Sequence, residues 1–351
     1  MKKLLFALFL FVFASILYLI HYYSLFRLFG FFSITLSLWL VALLLSLFYP
    51  VAALIDRLFH SLPTRWLYFL ASSWLGIIFF LFTCTIFLEF INVGIPLFGK
   101  EKVGWAVLAG LAGVTAYALF AGSKLIVKKV TIPHFGKKLS VVQLSDIHVG
   151  TIHSRKFLEK VVAKTNALRP DVVVVTGDLV DGSGKLTDES FAALHDLTMP
   201  VYVVLGNHEY YDGIDNVLKR LAKYNLRVLQ DEVVFFKGVQ LIGLTYYDSE
   251  KKAREVIAQI PFDAKKPSIV LQHVPIGQEI AKKRGMRLQL SGHTHAGQIF
   301  PFSLLVKAKF PQYKGLYRFG GFSLYVSSGT GTWGPPMRLG SRSEITFLEL
   351  S

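Results

Sequence analysis

Five short blocks in the second half of this chain each follow an apolar, β-like run, and together they restrict the fold more than any other feature. Asp146-Ile147-His148 follows residues 141–144, Gly177-Asp178 follows 172–175, and Gly206-Asn207-His208-Glu209 follows 201–205. His273 follows 269–271, and Gly292-His293-Thr294-His295 follows 288–290. Side chains at i and i+2 on a strand point to one side, so Asp146 with His148, and His293 with His295, can each converge on one point. Carboxylate, imidazole and amide oxygen suit Mn, Fe or Zn rather than a thiolate-loving ion. Any one block alone is better explained as ordinary structure, but five that share a strand-end position are not. The pattern reads as a hydrolytic metal centre.

From Ser140 onward, buried strands alternate with helices. Ser154 is placed to cap a helix through Phe157, Leu158, Val161, Val162 and Leu168, stopped by Pro170. Asp215 is placed to start another through Val217, Leu218 and Leu221, ending near Asn225. Residues 172–175 are apolar at every position, as strands covered on both faces are. Later strands at 240–244, 268–271, 288–290, 323–326 and 344–350 have shorter connections. The expected fold is α/β: a two-layered β-sandwich flanked by helices, with the candidate ligands on loops at strand ends.

The first third obeys different rules. The 351 residues are 53% hydrophobic, with a mean hydropathy of +0.47, and the excess lies in residues 1–122. A bilayer core needs about 20 apolar residues per helix. Four stretches qualify, at 4–20, 31–48, 66–90 and 103–120, bounded by charge, Pro or Gly such as Pro50, Asp56-Arg57 and Pro96. Lys2-Lys3 fits the start of a signal peptide, but no small-x-small cleavage site follows, so a retained helix is expected. With the N-terminus inside, cytoplasmic segments carry Lys2, Lys3, Arg57, Arg65, Lys124, Lys128 and Lys129, against Arg27, Lys100 and Lys102 outside. The expectation is a multi-pass protein of the inner membrane with a cytoplasmic catalytic domain. The expected divisions are a transmembrane region at 1–122, a basic juxtamembrane linker at 123–139 and the catalytic domain at 140–351. The spans read as a structural anchor, with no convincing intramembrane charge pair and Glu89 near a span end. The net charge of +15 is better met by anionic lipid head groups than by nucleic acid, which is not an expected partner. The single Cys84 excludes a disulfide framework.

Asp-x-His, Gly-Asp, Gly-Asn-His-Glu, a lone His and Gly-His-x-His, in this order across residues 140–351, resemble the calcineurin-like metallophosphoesterase superfamily. Gly-His-Thr-His-Ala-Gly-Gln, with Ser-Ser-Gly-Thr-Gly near the C-terminus, is most similar to its membrane-anchored branch. That branch includes bacterial enzymes that hydrolyse UDP-2,3-diacylglucosamine in lipid A synthesis. The resemblance implies two divalent ions, Mn²⁺ foremost with Fe, Zn or Co as alternatives. Asp146, His148 and His295 would hold the first, Asn207, His273 and His293 the second, with Asp178 bridging. His208 would be catalytic, stabilising transition-state oxygens or protonating the leaving group. Nothing departs from the expected ligand set.

Other residues have competing readings. His134, His153 and His195 are expected at the surface or as satisfied core residues. Asp181 reads as a solvated turn residue, with a hydrogen-bond partner behind a metal ligand as the alternative, and Glu209 either orients His208 or flanks its loop. Residues 299–318 interleave apolar side chains with Lys307, Lys309, Lys314 and Arg318. They suit a membrane interface, with Phe300, Phe302, Lys307 and Lys309 as substrate-binding residues, although an ordinary packed loop would carry the same composition. Gly329-Thr330-Gly331-Thr332-Trp333-Gly334 either offers backbone N–H groups to a phosphate or makes a tight turn. The leading functional expectation is hydrolysis of a lipid-linked phosphodiester or pyrophosphate, with membrane lipids as partners. The alternatives are a phosphodiesterase or phosphatase for a soluble or protein substrate, and a membrane scaffold with little chemistry.

Overall fold

The computed structural model describes residues 2–91, 99–182, 184 and 186–351. It divides into two compact units, Met1–Phe120 with Gly334–Met337, and Ala121–Trp333 with Arg338–Ser351. The first holds helices α1 (Lys2–Phe31), α2 (Trp39–Phe59), α3 (Leu62–Ile91) and α4 (Lys100–Ser123). All four are long and apolar enough to cross a membrane, and many of their large apolar side chains are exposed. A bilayer rather than a protein core is the solvent for such surfaces.

Two sequence expectations for these helices need correction. The second span begins at Trp39 rather than 31, because α1 continues to Phe31 and a turn with Ser33 at φ 54° follows it. Pro50 lies inside α2 instead of bounding it; prolines are tolerated in membrane helices where neighbours re-satisfy the freed backbone groups. A charge pair does join two of the helices near their span ends, since Arg27 Nε of α1 lies 2.9 Å from Glu89 Oε1 of α3. Their separation of 62 positions in the chain hid it from any local pattern. Asn92 to Phe98, including the expected boundary at Pro96, fall outside the described residues.

The second unit is a pair of six-stranded mixed sheets, as expected of a sandwich. One has the order β1-β12-β2-β3-β4-β5, comprising Leu125–Ile132, Ser343–Leu350, Leu139–Leu144, Val172–Thr176, Val201–Val204 and Arg227–Val228. The other runs β10-β11-β9-β8-β7-β6, comprising Gly315–Phe319, Phe322–Val326, Leu288–Ser291, Ser268–Leu271, Val239–Gly243 and Glu232–Phe236. Alternation sorts each strand between two cores. In β2, Val141 joins the layer between the sheets, with Leu241, Ile269 and Leu290. Val142 and Leu144 face outward onto Leu158 and Val161 of helix α5 (Arg155–Leu168). Ser154 does stand at the N-terminus of α5, but its side chain makes no capping bond. The helix expected from Asp215 runs Ile214–Leu221 and stops short of Asn225.

The stretch expected as a linker is in part a strand. Residues 125–132 form β1, paired in parallel with β12 from Leu125–Ser343 to Ile132–Leu350. Lys128 and Lys129 disguise it, because an edge strand tolerates lysines on its open face.

Candidate metal centre

Every block lies just beyond the carboxyl end of a strand. Asp146 follows β2, Asp178 follows β3, Asn207 follows β4, His273 follows β8 and His293 follows β9. β2, β3 and β4 are mutually parallel, as are β8 and β9, so their carboxyl ends share an edge within each sheet. Backbone bonds lace the loops together: Asp146 N–H donates to Gly177 O at 3.0 Å, His148 N–H to Asp178 O at 3.1 Å and Gly292 N–H to His273 O at 2.8 Å. Asp146, His148, Asp178, His293 and His295 all adopt positive φ, between 49° and 68°. Left-handed backbone in non-glycine residues costs of order 1–3 kcal/mol each and persists where surroundings over-determine it. Two glycines admit the close approach. A Cβ at Gly206 would collide with the Asp178 carboxylate, and one at Gly292 with the side chains of Ser145 and Asp146.

The side chains converge in two groups. In the first, His148 Nε2 lies 3.0 Å from His295 Nε2, and His295 Nε2 lies 3.4 Å from Asp146 Oδ1. In the second, His273 Nε2 is 3.2 Å from both Asn207 Oδ1 and His293 Nδ1. Asp178 Oδ2 stands between the groups, 3.2 Å from His273 Nε2 and 3.9 Å from His148 Nε2. All seven residues named as candidate ligands are therefore brought together. Three overlapping clusters of His and Asp there offer ligand atoms within 4.8 Å of one another. Nitrogen and oxygen donors at such spacing fit divalent metal ions, and His148 Nδ1 and His295 Nδ1 are buried without a hydrogen-bond partner.

Burial depresses the pKa of His148 and His295 well below 6.5, so both offer lone pairs at neutral pH. Burial and then the His273 charge lower His293 to about 3. Asp146 is pushed up to about 6, first by burial, against the opposing pull of His273. Burial works against ionising Asp178, yet the charge and hydrogen bond of His273 hold its carboxyl well below the usual range. Burial likewise opposes protonation of His273, but Asp178 outweighs it and raises His273 to about 10. This folded pKa lies above the ordinary 6.5. The stabilisation of the metal-free protein is therefore complete below pH 6.5 and lost as pH rises through about 10. Between those limits a metal must displace the His273 proton. Calorimetric titration of the metal-free protein with Mn²⁺ at neutral pH, in buffers of different protonation enthalpy, should show about one proton released. Zero release would show that His273 enters binding already neutral.

Several residues that hold the site were not legible as such. Glu209 is buried and accepts three backbone N–H groups, from Gly206 at 2.6 Å, Asp178 at 3.1 Å and Val180 at 3.1 Å. It braces the Gly-Asp loop against the Gly-Asn-His-Glu loop, and no bond joins its carboxylate to the His208 ring. His208 instead donates its backbone N–H to Asp178 Oδ1 at 3.0 Å, while its Nδ1 bonds Asp181 O at 2.6 Å. That leaves Nε2 for the site. Asp181 is no solvated turn residue, since Oδ1 also stands 3.6 Å from His148 Nδ1 with the side chain only 10% exposed. Arg338, fully buried, donates to His295 O, Gly329 O and Gly331 O and to the hydroxyls of Ser341 and Ser343. His153 is a satisfied core residue bonded to Thr332, whereas His134 and His195 are exposed.

Five amides of the glycine-rich segment are already engaged within the protein. The N–H groups of Gly329, Thr330, Gly331, Thr332 and Trp333 bond Ser327 Oγ, Ser145 O, Asp146 O, His153 Nε2 and Gln298 Oε1 respectively. They tie the C-terminal loop to the first block and to the side chains of His153 and Gln298. Phe300, Phe302, Lys307 and Lys309 stand outside the ligand cluster, in and before a helix at Phe302–Lys309 with no buried residue. Nearer the cluster, Phe310 lies edge-on to His293 and Tyr211 flanks His208, with ring centroids 5.7 and 5.3 Å apart.

A two-sheet sandwich bearing seven nitrogen and oxygen donors at its strand ends defines a class of divalent-metal domain. Residues 139–297 match the model of the calcineurin-like phosphoesterase family. An uncharacterized metallophosphoesterase of Campylobacter jejuni is 33% identical over 309 residues, covering 82% of this chain and 79% of that one. An uncharacterized metallophosphoesterase of Helicobacter pylori (strain J99) is 36% identical over 242 residues, 67% of this chain and 65% of its relative. A transmembrane protein with metallophosphoesterase domain from Bos taurus is 34% identical over 242 residues, 62% of this chain and 54% of that protein. This chain belongs to the calcineurin-like phosphoesterase family. The match thus spans just under two thirds of the Helicobacter relative and about half of the bovine one. With four membrane-length helices and transmembrane relatives, the chain is a membrane protein.

Proposed function

We propose that this protein is a metal-dependent phosphoric ester or pyrophosphate hydrolase acting on a lipid-linked substrate. The observation that carries this reading is the sharing of Asp178 between two groups of nitrogen and oxygen donors. A pair of divalent ions held there, Mn²⁺ being the first choice, supplies Lewis acidity for a phosphoryl group and acidifies a water. Asp146, His148 and His295 would hold one, Asn207, His273 and His293 the other. The protein's own contribution is to fix these groups before substrate arrives. Glu209 sets the spacing of the Asp178 and Asn207 loops, and Arg338 holds the backbone of His295. His208, anchored by Asp181 O, presents Nε2 to the leaving-group oxygen and delivers a proton there.

His208→Ala should therefore impair substrates in proportion to the basicity of the leaving group. Across a series of aryl phosphodiesters, kcat should fall more steeply with leaving-group pKa in the variant than in the wild type. Parallel plots would assign His208 to charge stabilisation alone.

Lysine and arginine bias supports a multi-pass arrangement in the inner membrane with the catalytic unit cytoplasmic. A cytoplasm-dependent fluorescent reporter fused after Ser351 should light up, and alkaline phosphatase at the same point should be inactive; the reverse places the metals outside. For the substrate, the sharpest reading is UDP-2,3-diacylglucosamine cut to UMP and 2,3-diacylglucosamine 1-phosphate. Purified protein with Mn²⁺, offered this lipid beside a generic aryl phosphodiester, should prefer the lipid. Preference for the aryl ester, or equal use of a deacylated nucleotide sugar, would move the reading to a soluble substrate.

A further inference from the structure

The segment between the last two metal-site loops and β10 stands away from the core. It leaves the domain at Phe300, whose N–H bonds Leu339 O at 2.9 Å, and returns at Tyr313, whose carbonyl accepts Thr294 Oγ1 at 2.6 Å. Its two feet are thus held at Thr294, the residue before His295, and at Leu339, the residue after the Arg338 that donates to His295 O. Between them the helix Phe302–Lys309 buries none of its residues. Phe300, Leu304 and Leu305 are 49%, 57% and 67% exposed. Lys307, Lys309 and Lys314 are exposed around them, the last two lying over the rings of Phe310 and Tyr313. An apolar patch rimmed by cations marks a binding surface.

We infer that this helix docks into the interfacial layer of an anionic bilayer and brings the metal centre to the lipid surface. The occupant follows from two observations. Each copy of the chain carries four membrane-length helices, so a bilayer is present wherever the domain is. The patch pairs bulky apolar groups with lysines, the combination that seats side chains among acyl chains and cations among phosphates. A soluble acidic partner would be served by the lysines but not by Leu304 and Leu305. The inference deepens the lipid-linked reading above by giving the substrate its route. Its test needs no turnover, so it can fail while the hydrolase reading stands, and the reverse.

The full chain in a Cys84→Ser background, carrying a polarity-sensitive fluorophore on Leu305→Cys, is assembled into nanodiscs containing phosphatidylglycerol. Spin-labelled lipid should quench this fluorophore strongly, while the same probe on Lys282→Cys stays unquenched. Lys307→Glu should lower the docked-to-free ratio by roughly fivefold, with a further drop on adding Lys309→Glu, and only when anionic lipid is present. If position 305 behaves like position 282, is quenched only by a water-soluble agent, or resists both quenchers, the bilayer is not the occupant. If the Leu305→Cys protein is not monodisperse, the probe on Leu304→Cys gives the same reading.

Discussion

Asp178→Asn is expected to abolish turnover and to strip both metal positions at once. The carboxylate stands between the two donor groups, and only its charge serves both. Asparagine keeps the shape and an oxygen that can still accept the His208 N–H, now 3.0 Å from Asp178 Oδ1, so the loop should stay folded. The loss in kcat/KM should exceed by far the roughly 10–100-fold typical of removing a group behind a ligand. Metal analysis of the purified variant should find well under the wild-type content. His148→Ala, which removes one donor from one group, should retain more metal than Asp178→Asn. Two ions and full activity in Asp178→Asn would overturn the central role given to this residue.

Glu209→Ala should produce a large loss of stability without altering any candidate ligand side chain. It leaves three buried backbone donors, at Gly206, Asp178 and Val180, with no acceptor. Each orphaned donor costs about 1–3 kcal/mol, so a loss of at least about 3 kcal/mol is expected. For a domain of this size that lowers Tm by roughly 6–12 °C. Glu209→Gln retains one carbonyl oxygen but turns an amide NH₂ toward donors, so it should recover only part of the loss. Thermal unfolding of the three proteins, with and without Mn²⁺, checks the ranking. A Glu209→Ala protein as stable as wild type would mean that the two loops hold each other without the carboxylate.

Legibility varied with the kind of bond involved. Asp146 and His148 could be paired from sequence by their two-residue spacing and do share a donor group, whereas His293 and His295, paired by the same rule, divide between the two groups because their backbone turns left-handed beyond the strand. That Asp178 would stand between these groups rested on resemblance, since 29 to 117 positions separate it from the donors it joins. The roles of Glu209 and Asp181 were not legible, because Glu209 is held by backbone groups that carry no signature in composition and Asp181 meets His148 and His208 only through the fold. Arg338 escaped for the same reason: its acceptors are carbonyls and hydroxyls, and a lone arginine near a C-terminus looks solvated. The glycine-rich segment at 329–334 misled in the opposite direction, since its amides look free until His153, Gln298 and the first block are seen to engage them.

The sequence by itself determined which residue types end each strand, the alternation that sorts the strands into a sandwich, and the four long apolar helices. These follow from local rules, the two-residue period of a strand and the length of a bilayer-spanning helix. Only the tertiary structure decided that residues 125–132 complete a sheet, that Arg27 meets Glu89, and that Glu209 and Arg338 hold the loops at their strained, left-handed backbone angles. Those outcomes depend on groups far apart in the chain. Burial makes an unpaired charge or amide costly, and the fold alone decides which distant partner removes that cost.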